Sequence, residues 1–445
     1  MFERPPNWKK LLTVELIEKI QNSKEAQEIL SRAQKEYIYW DKFKYYNFPA
    51  SVTPQEAWAF IKLSRSSSSE KTPIKSISSG DFSYNIPKSL YQKLNFIDTH
   101  GAGLLKSFQD KPSSSQTSKY IISSLTEESI ASSQIEGANT THKIAKDMIL
   151  SQRKPRNKSE QMIVNNYLAM QKIAQWKDLD LTEQMLLDLQ KLLVDQTVED
   201  SSIGGRFRKD KDEIVVSDQI TGEVAHVPPK EEVMLSELRR FIEYANKTED
   251  KEDEFIHPVI KASVLHFWFA YLHPFADGNG RSSRAIFYWY LLKNDYWLIE
   301  YVSISRTIKQ SRKAYDNAFL YSENDDNDMT YFLLYITETF KKSILQFMEY
   351  FERKEIEIKD IKANSPTSSK FNIRQTILLQ YFSEHPDESI DVVTHQNKNG
   401  VSRPSANNDL YRLVKKGFLT ETRSGKKLVY MPNINKIKKL FNFNS

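Results

Sequence analysis

Apolar residues recur at intervals of three and four positions along most of the chain, and this spacing predicts amphipathic helices. The clearest predicted helices span residues 160–176, 182–195, 230–245 and 328–351. Others are predicted at 15–32 and at 52–63, where Thr53 precedes Pro54 and Glu56 as in a helix cap. The pattern indicates a mainly α protein.

Three segments interrupt this helical pattern. Serine-rich stretches at 65–71 and 111–119 are predicted to be loops. Between residues 204 and 230, two short β-prone runs flank a Thr-Gly pair and are followed by two prolines, which predicts a small hairpin or flap on a helical bundle. The first of these runs consists of Ile214, Val215 and Val216.

A unit with a different pattern follows residues 356–369, which we interpret as a linker. Three helices and then a hairpin are predicted at 374–382, 389–398, 402–419 and 419–432. This order is typical of a winged helix–turn–helix domain, which binds DNA in some proteins and serves packing or dimerisation in others. Residues 370–445 hold 13 Lys and Arg against 6 Asp and Glu, whereas the rest of the chain holds 50 against 52. DNA and a second copy of the chain are therefore the two partners indicated for this unit.

The composition excludes several kinds of chemistry. The chain has no cysteine, so disulfides, thiolate metal sites and cysteine nucleophiles are excluded. No stretch of about 18 uncharged apolar residues occurs, and the first residues lack the apolar centre of a secretory signal. We therefore expect a cytoplasmic protein with no membrane partner.

The segment 273–284 reads HPFADGNGRSSR and is the strongest candidate for a functional site. Glycines around an asparagine suit an ordinary turn between two helices. They also let a backbone approach a phosphate closely, and the N–H groups at the start of the next helix attract anions. Arg281 and Arg284 are three residues apart, so both can face the same phosphates.

Two other side chains of this segment add reactive groups. Asp277 supplies a carboxylate oxygen, a ligand suited to Mg²⁺ that bridges two phosphates. His273 can accept a proton near neutral pH, because an unperturbed histidine has a pKa of ~6.5. A base, a metal ligand and a phosphate-binding turn in one short segment indicate nucleotide transfer.

The segment resembles the signature of the Fic family, H-P-F-x-[D/E]-G-N-G-R-x-x-R, at every specified position. The apolar stretch before it and the hairpin ending in HVPP also resemble that family, so the resemblance covers about residues 120–320. It implies a Fic-type helical bundle with a small β-hairpin flap, followed by the winged helix–turn–helix domain. The implied domains are an N-terminal helical region, the inhibitory helix with the catalytic core, the linker and the C-terminal domain, at 1–95, 96–355, 356–369 and 370–445.

The resemblance implies a protein adenylyltransferase, which transfers AMP from ATP to a Ser, Thr or Tyr hydroxyl of a target protein and releases pyrophosphate. His273 would deprotonate the hydroxyl, Asp277 would hold Mg²⁺ on the phosphates, and the flap would hold the target segment by strand addition. The motif residues implied to bind ATP are Gly278, Asn279, Gly280, Arg281 and Arg284.

A second motif, SSQIEGANT at 132–140, resembles the inhibitory helix of many Fic proteins, with Ser132, Glu136 and Gly137 in register. Taken alone, Glu136 would be an ordinary glutamate at a helix end. The resemblance implies that it pairs with Arg284, takes that arginine from the γ-phosphate and leaves ATP misplaced.

The chain departs from the family pattern beside the expected adenine pocket. Ser311 stands where the family often has asparagine, and Tyr315 is followed by Asp316 in place of a second tyrosine. The preference for ATP is therefore open. The alternatives are removal of AMP, transfer of another phosphate-containing group, or a transcription regulator whose Fic-like fold only senses nucleotide.

Overall fold

The computed structural model describes residues 3–77, 80–102, 114–217, 222–247, 255–364, 370–425 and 427–441. The chain divides into two compact units. The first unit comprises Met1–Gly103, Ala169–Trp297 and Thr307–Lys342. The second comprises Leu104–Leu168, Leu298–Arg306 and Ser343–Ser445.

The protein is mainly helical, with three two-stranded antiparallel sheets in the described residues. The elements of the first half are α1 (Val14–Gln21), α2 (Lys24–Glu36), α3 (Trp40–Phe43), α4 (Pro54–Ser67), β1 (Glu70–Lys75), β2 (Asp81–Tyr84), α5 (Lys88–Ile97), α6 (Ser114–Ile135), α7 (His142–Ser151), α8 (Lys158–Gln175), α9 (Glu183–Val194), β3 (Val216–Ser217), β4 (Val224–His226) and α10 (Glu231–Asn246). Those of the second half are α11 (Pro258–Leu272), α12 (Asn279–Lys293), α13 (Ile304–Gln310), α14 (Arg312–Asn324), α15 (Thr330–Asn364), α16 (Ile373–Glu384), α17 (Val392–Asn399), α18 (Arg403–Lys415), β5 (Leu419–Ser424), β6 (Lys427–Pro432) and α19 (Ile434–Phe441).

The predicted cap of α4 is confirmed. Thr53 Oγ1 accepts a hydrogen bond from the Glu56 N–H at 3.2 Å, and the Glu56 carboxylate accepts one from the Thr53 N–H at 2.7 Å. These bonds satisfy backbone donors that the first turn of a helix leaves without a carbonyl. The helices predicted at 160–176, 182–195 and 230–245 are also present, with ends shifted by one or two residues, and the helix predicted at 328–351 continues to Asn364.

Several predictions at the helix borders are wrong. The segment 65–71 is not a loop, because α4 continues to Ser67 and β1 begins at Glu70. From Ser114 onward the second serine-rich stretch belongs to α6, while residues 111–113 lie outside the described residues. The predicted helix at 15–32 is two helices, since Ser23 caps a new one. The expected linker is helical up to Asn364, the last residue of α15.

Helices α11 and α12 form the centre of the first unit. Both are buried along almost their whole length. For α11 this is expected, because a helix that is apolar on nearly all sides is a buried helix. The indole of Trp289 in α12 donates to the carbonyl of Trp176 at 3.1 Å and so bonds α12 to the residue that follows α8. The loop between the two helices is consequently held by a rigid core.

Residues 370–441 form their own apolar core from four helices and a hairpin. The first three helices and the hairpin follow the predicted order, and α19, which was not predicted, adds the buried Ile437. Ile390 exchanges two backbone hydrogen bonds with Tyr430 of β6, at 3.1 and 2.7 Å. Asp409 of α18 is buried and accepts hydrogen bonds from Asn372, Arg374 and His395. Burial raises the pKa of Asp409, but the hydrogen bonds from His395 and Arg374 outweigh it and lower that pKa to about 2. This network connects α18 to α16 and α17.

Within the second unit, α17 packs against α6 and α7. The amide of Asn397 donates to the carbonyl of Leu150 at 2.7 Å, and Lys143 lies 3.6 Å from the Glu388 carboxylate. In the segments that the structure describes, no helix has both the length and the apolar character needed to span a bilayer.

Candidate active site

The loop between α11 and α12 carries the candidate base at its first residue. His273 ends α11 in a left-handed conformation, with φ 48° and ψ 57°, which residues other than glycine and asparagine adopt only occasionally. Its side chain is half-buried, and Nδ1 lies 3.4 Å from the carbonyl oxygen of Ala270. The turn stops the helix and redirects the chain, so the imidazole stands at the rim of the loop.

The loop is closed by one asparagine side chain. Asn279 accepts a hydrogen bond from the Phe275 N–H at 2.9 Å and donates one to the Phe275 carbonyl at 2.8 Å. Phe275 itself is fully buried and stacks on Phe207 with ring centroids 5.4 Å apart. The side-chain amide of Asn279 is therefore bonded within the loop, and the backbone N–H of Asn279 is the group that can bind an anion.

Gly278 precedes α12 with φ 93°, a conformation that favours glycine. A Cβ at this position would lie 3.4 Å from a methyl group of Val194, so the loop packs closely on α9. The next N–H groups, those of Asn279, Gly280 and Arg281, begin a helix of 15 residues and have no carbonyl four residues before them within it. With the positive end of the helix dipole, they make this turn a candidate site for an anion.

The guanidinium of Arg281 is hydrogen-bonded to other groups of the protein. Its side chain is 1% exposed, donates from Nη1 to the Leu193 carbonyl at 2.7 Å and from Nη2 to Asp277 Oδ1 at 3.0 Å. Gln190 of α9 adds a hydrogen bond to the Asp277 carbonyl at 3.2 Å. These bonds fasten the loop to α9, and they assign Arg281 a structural role beside the implied phosphate contact.

A second arginine, Arg208, secures the other side of the loop and has no counterpart in the sequence predictions. Its backbone N–H donates to the Pro274 carbonyl at 2.9 Å, and its Nε donates to the His273 carbonyl at 2.7 Å. The guanidinium also donates to the carbonyl of Pro229, after the flap. Burial lowers the pKa of Arg208. One buried side chain thus connects the base, the loop and the end of the flap.

The expected nucleotide side of the site is aromatic and partly charged. Tyr315 is buried, and its hydroxyl lies 2.8 Å from Nε2 of His266. Burial and, to a smaller extent, the nearby positive charge of Arg284 together lower the pKa of His266 to about 3, so this imidazole is neutral. Ser311 lies on the same side, with its hydroxyl 2.9 Å from that of Tyr335. Arg284 itself is 3% exposed.

The flap is shorter than predicted. Its strands are β3 and β4, so Ile214 and Val215 precede the first strand and only Val216 belongs to it. The predicted turn residue Thr221 lies outside the described residues. Val216 pairs with His226, and Ser217 with Val224.

A sequence model of the Fic/DOC family matches residues 180–291, which include α9, the flap, α11 and nearly all of α12. The chain contains a Fic domain. The loop 273–278 and the start of α12 are the Fic motif within it.

Curated relatives match the Fic domain over short segments. "Protein adenylyltransferase Fic" from Nematostella vectensis is 34% identical over 82 residues, which is 18% of this chain and 16% of the relative. The protein of the same name from Drosophila melanogaster is 28% identical over 118 residues, 26% of this chain and 21% of the relative. The matched segments thus span about a fifth or less of those relatives.

Solved structures of Fic proteins are also similar to the chain. A Fic family protein from Desulfovibrio desulfuricans is 17% identical with a TM-score of 0.48, covering 79% of this chain and 97% of that one. Fic-1 from C. elegans is 15% identical with a TM-score of 0.43, covering 59% of this chain and 71% of that one.

The candidate inhibitory residues lie in the second unit, beyond the residues that the family model matches. Ser132 is buried in α6, which ends at Ile135, so Glu136 follows the helix directly. The Glu136 N–H donates to the Ser133 carbonyl at 3.1 Å, and Gly137 has φ 94°, as in a glycine-ended helix. The pairing of Glu136 with Arg284 stays a prediction.

The Fic domain offers Mg²⁺ one carboxylate. Asp277 has a side chain that is 45% exposed, and Oδ1 accepts from Arg281. Among the described residues, no group of three His, Asp or Glu side chains could hold a metal ion. This donor set fits a magnesium ion that arrives with a nucleotide, because Mg²⁺ commonly combines one or two carboxylates with phosphate oxygens and water.

His226, the first residue of the HVPP segment that ends the flap, lies between two hydrogen-bond acceptors. Nδ1 lies 2.8 Å from Glu323 Oε2, and Nε2 lies 2.8 Å from the Tyr271 carbonyl, two residues before His273. Since both neighbours are acceptors, the ring holds both bonds only when both nitrogens are protonated. Burial and Arg208 lower the pKa of His226, but Glu323 and the Tyr271 carbonyl outweigh them and raise it.

The anchoring of the flap is therefore expected to weaken at alkaline pH. A raised pKa in the folded state stabilises the protein fully below the unfolded histidine value of ~6.5, and this contribution is lost as pH rises through the higher folded value. His226→Gln should lower the free energy of unfolding by roughly 1–3 kcal/mol at acidic pH and by less at alkaline pH. Thermal unfolding of both proteins across that range measures the difference. A constant difference would show that protonation of His226 does not hold the flap.

Proposed function

We propose that the protein is an adenylyltransferase that moves AMP from ATP to a hydroxyl group of a target protein. The observation that carries this proposal is the single loop that presents His273 at one end and the N-terminus of α12 at the other. The loop is fastened by Arg208, Asn279 and Arg281, so a base and an anion-binding turn are held at fixed separation. The names of the matched relatives agree with this reaction.

The proposed reaction forms one bond to phosphorus and breaks another. The target hydroxyl oxygen forms a bond to the α-phosphorus of ATP, while the bond from that phosphorus to the bridging oxygen breaks and pyrophosphate leaves. His273 takes the hydroxyl proton. The N–H groups that follow Gly278 neutralise charge on the phosphate oxygens, and Arg284 binds the outer phosphates. Asp277 would hold Mg²⁺, which would further neutralise the charge of the phosphates when bound.

Arg281 is expected to act in this reaction through its backbone N–H, because its guanidinium is already bonded to α9 and Asp277. Tyr315 and Ser311 are proposed to line the base pocket, where their departure from the family pattern affects the choice of nucleotide. The flap, fixed by His226, is proposed to hold an extended target segment by strand addition. Glu136 is proposed to inhibit the enzyme by taking Arg284 from the γ-phosphate.

Incubation of the full chain with ATP, Mg²⁺ and cell lysate, followed by mass spectrometry, tests this function. A gain of one AMP on Ser, Thr or Tyr side chains is expected. Loss of AMP from proteins that were already modified would favour the reverse reaction, and a gain of phosphate or of another nucleotide would favour a different transferase.

A DNA-binding regulator is the second candidate, and the outward face of α18 favours it. Arg403, Asn407, Asn408, Tyr411 and Arg412 are all exposed on this helix. Polar and basic side chains on the third helix of a winged helix–turn–helix domain commonly reach into the major groove. The full chain should then shift a DNA duplex at low salt, with affinity falling steeply as salt rises. A chain that shifts no duplex at low salt and forms dimers would favour the packing role.

A further inference from the structure

A basic cavity lies at the junction of α16 and α18 in the C-terminal domain. It has a volume of about 460 Å³ and is lined by Lys370, Phe371, Asn372, Gln375, Arg412, Lys415 and Lys416. Four of these seven residues are cationic. In the part of the chain that the structure describes, none of the four forms an ion pair with a carboxylate.

The floor of the cavity is ordered by its own contacts. Lys416 donates to the carbonyl of Lys370 at 2.7 Å and lies 4.5 Å from the centre of the Phe371 ring. Asn372 caps α16, so the positive end of that helix lies beside the cavity. The carboxylate behind it, Asp409, is already bonded to Arg374 and Asn372, so it neutralises little of the four charges.

The cavity continues a row of side chains along α18. Asn408, Arg412 and Lys415 follow at spacings of four and three residues, which places them on one face of the helix. All three are exposed. The helix has 13 residues and is roughly 20 Å long, long enough to lie beside several phosphates of a duplex.

We propose that this cavity is a phosphate site and that its phosphate belongs to the backbone of a nucleic acid. The proposal rests on the second candidate function, DNA binding by α18, and specifies where the backbone is gripped. A free phosphate compound would use the four cations but leave the exposed Arg403, Asn407 and Asn408 of α18 without a ligand. A duplex uses both, because phosphate contacts position a protein while other side chains meet the groove. The basic excess of residues 370–445 agrees with such a partner.

The test compares two double variants of the full chain that lose the same charge. Arg412→Gln with Lys415→Gln alters the cavity and keeps much of the side-chain volume. Lys24→Gln with Lys35→Gln removes two exposed cations from α2, in the first unit. Fluorescence anisotropy with a labelled duplex is measured at several salt concentrations. The cavity variant should lower the slope of log affinity against log salt by about 2, while the α2 variant should leave it unchanged.

The outcomes separate the sources of phosphate and the two proposed functions. Equal salt slopes for the cavity variant and the wild type would show that the cavity binds no phosphate of the duplex, while DNA binding by α18 would remain in place. If the cavity variant binds ATP more weakly than the wild type but binds the duplex with unchanged affinity, the cavity binds a free nucleotide and not a nucleic acid. AMP transfer by the same variants should equal that of the wild type, so a failure of the enzyme proposal is seen independently. Unchanged thermal unfolding confirms that the variants fold.

Discussion

Replacing His273 is expected to lower AMP transfer by at least ~10²-fold while ATP binding remains, because loss of a general base affects the chemical step rather than the affinity for nucleotide. The anion-binding turn begins five residues later, at Gly278, and is held by Asn279 and Arg281 instead of the histidine ring. Calorimetry with ATP and Mg²⁺ measures the affinity, and the rate of label transfer measures the chemistry.

The choice of substitution matters because His273 has φ 48°. Alanine is strained in this conformation, whereas asparagine adopts it more readily. His273→Asn therefore removes the base with little strain in the loop, and it should lose as much transfer as His273→Ala. His385→Ala, at an exposed histidine after α16, is the control and should keep full activity. Transfer by His273→Asn at the wild-type rate would remove His273 from the mechanism.

Glu136→Gly is expected to activate the enzyme. If Glu136 holds Arg284 away from the γ-phosphate, its removal should raise self-labelling roughly 5- to 150-fold, the usual range for a coupling of about 1–3 kcal/mol. Because Glu136 lies just after the last residue of α6, glycine should cost at most about 1 kcal/mol of helix stability. ATP with Mg²⁺ should then raise the melting temperature of the variant more than that of the wild type.

Two further variants separate this switch from a general effect of glycine at a helix end. Glu384→Gly changes an exposed glutamate at the last position of α16 and should not activate the enzyme. Arg284→Ala added to Glu136→Gly should abolish both gains, whereas independent effects would add. Wild-type activity equal to that of Glu136→Gly would show that Glu136 is an ordinary residue after a helix.

The helices and the Fic motif could be predicted from the sequence because their signals are local. The apolar spacing of α9 and α10, the Thr53 cap and the glycines beside Asn279 each determine a conformation within a few residues. The loop prediction for the serine-rich stretches is wrong because serine has only a weak preference against helix. Tertiary packing overrides that preference in α4 and α6.

The supports of the site could not be predicted, because they join residues far apart in the sequence. Arg208 reaches the carbonyl of His273 across 65 positions, and Gln190 reaches that of Asp277 across 87. Nothing in the local sequence distinguishes Arg208 from Arg206, which pairs with Asp212 instead. The hydrogen bonds of the Asn279 and Arg281 side chains could not be predicted either, since the motif shows residue types but not their partners.

The position of the transferred label tests the central claim most directly. The Glu136→Gly protein is incubated with lysate and Mg²⁺ in two reactions, one with ATP labelled at the α-phosphorus and one with ATP labelled at the γ-phosphorus, and His273→Asn is added to the same background as a control. Transfer of AMP predicts that protein retains the α-label, that no γ-label is retained above the control, and that His273→Asn abolishes retention. Retention of the γ-label that depends on His273, or no retained α-label, would contradict the proposed adenylyl transfer.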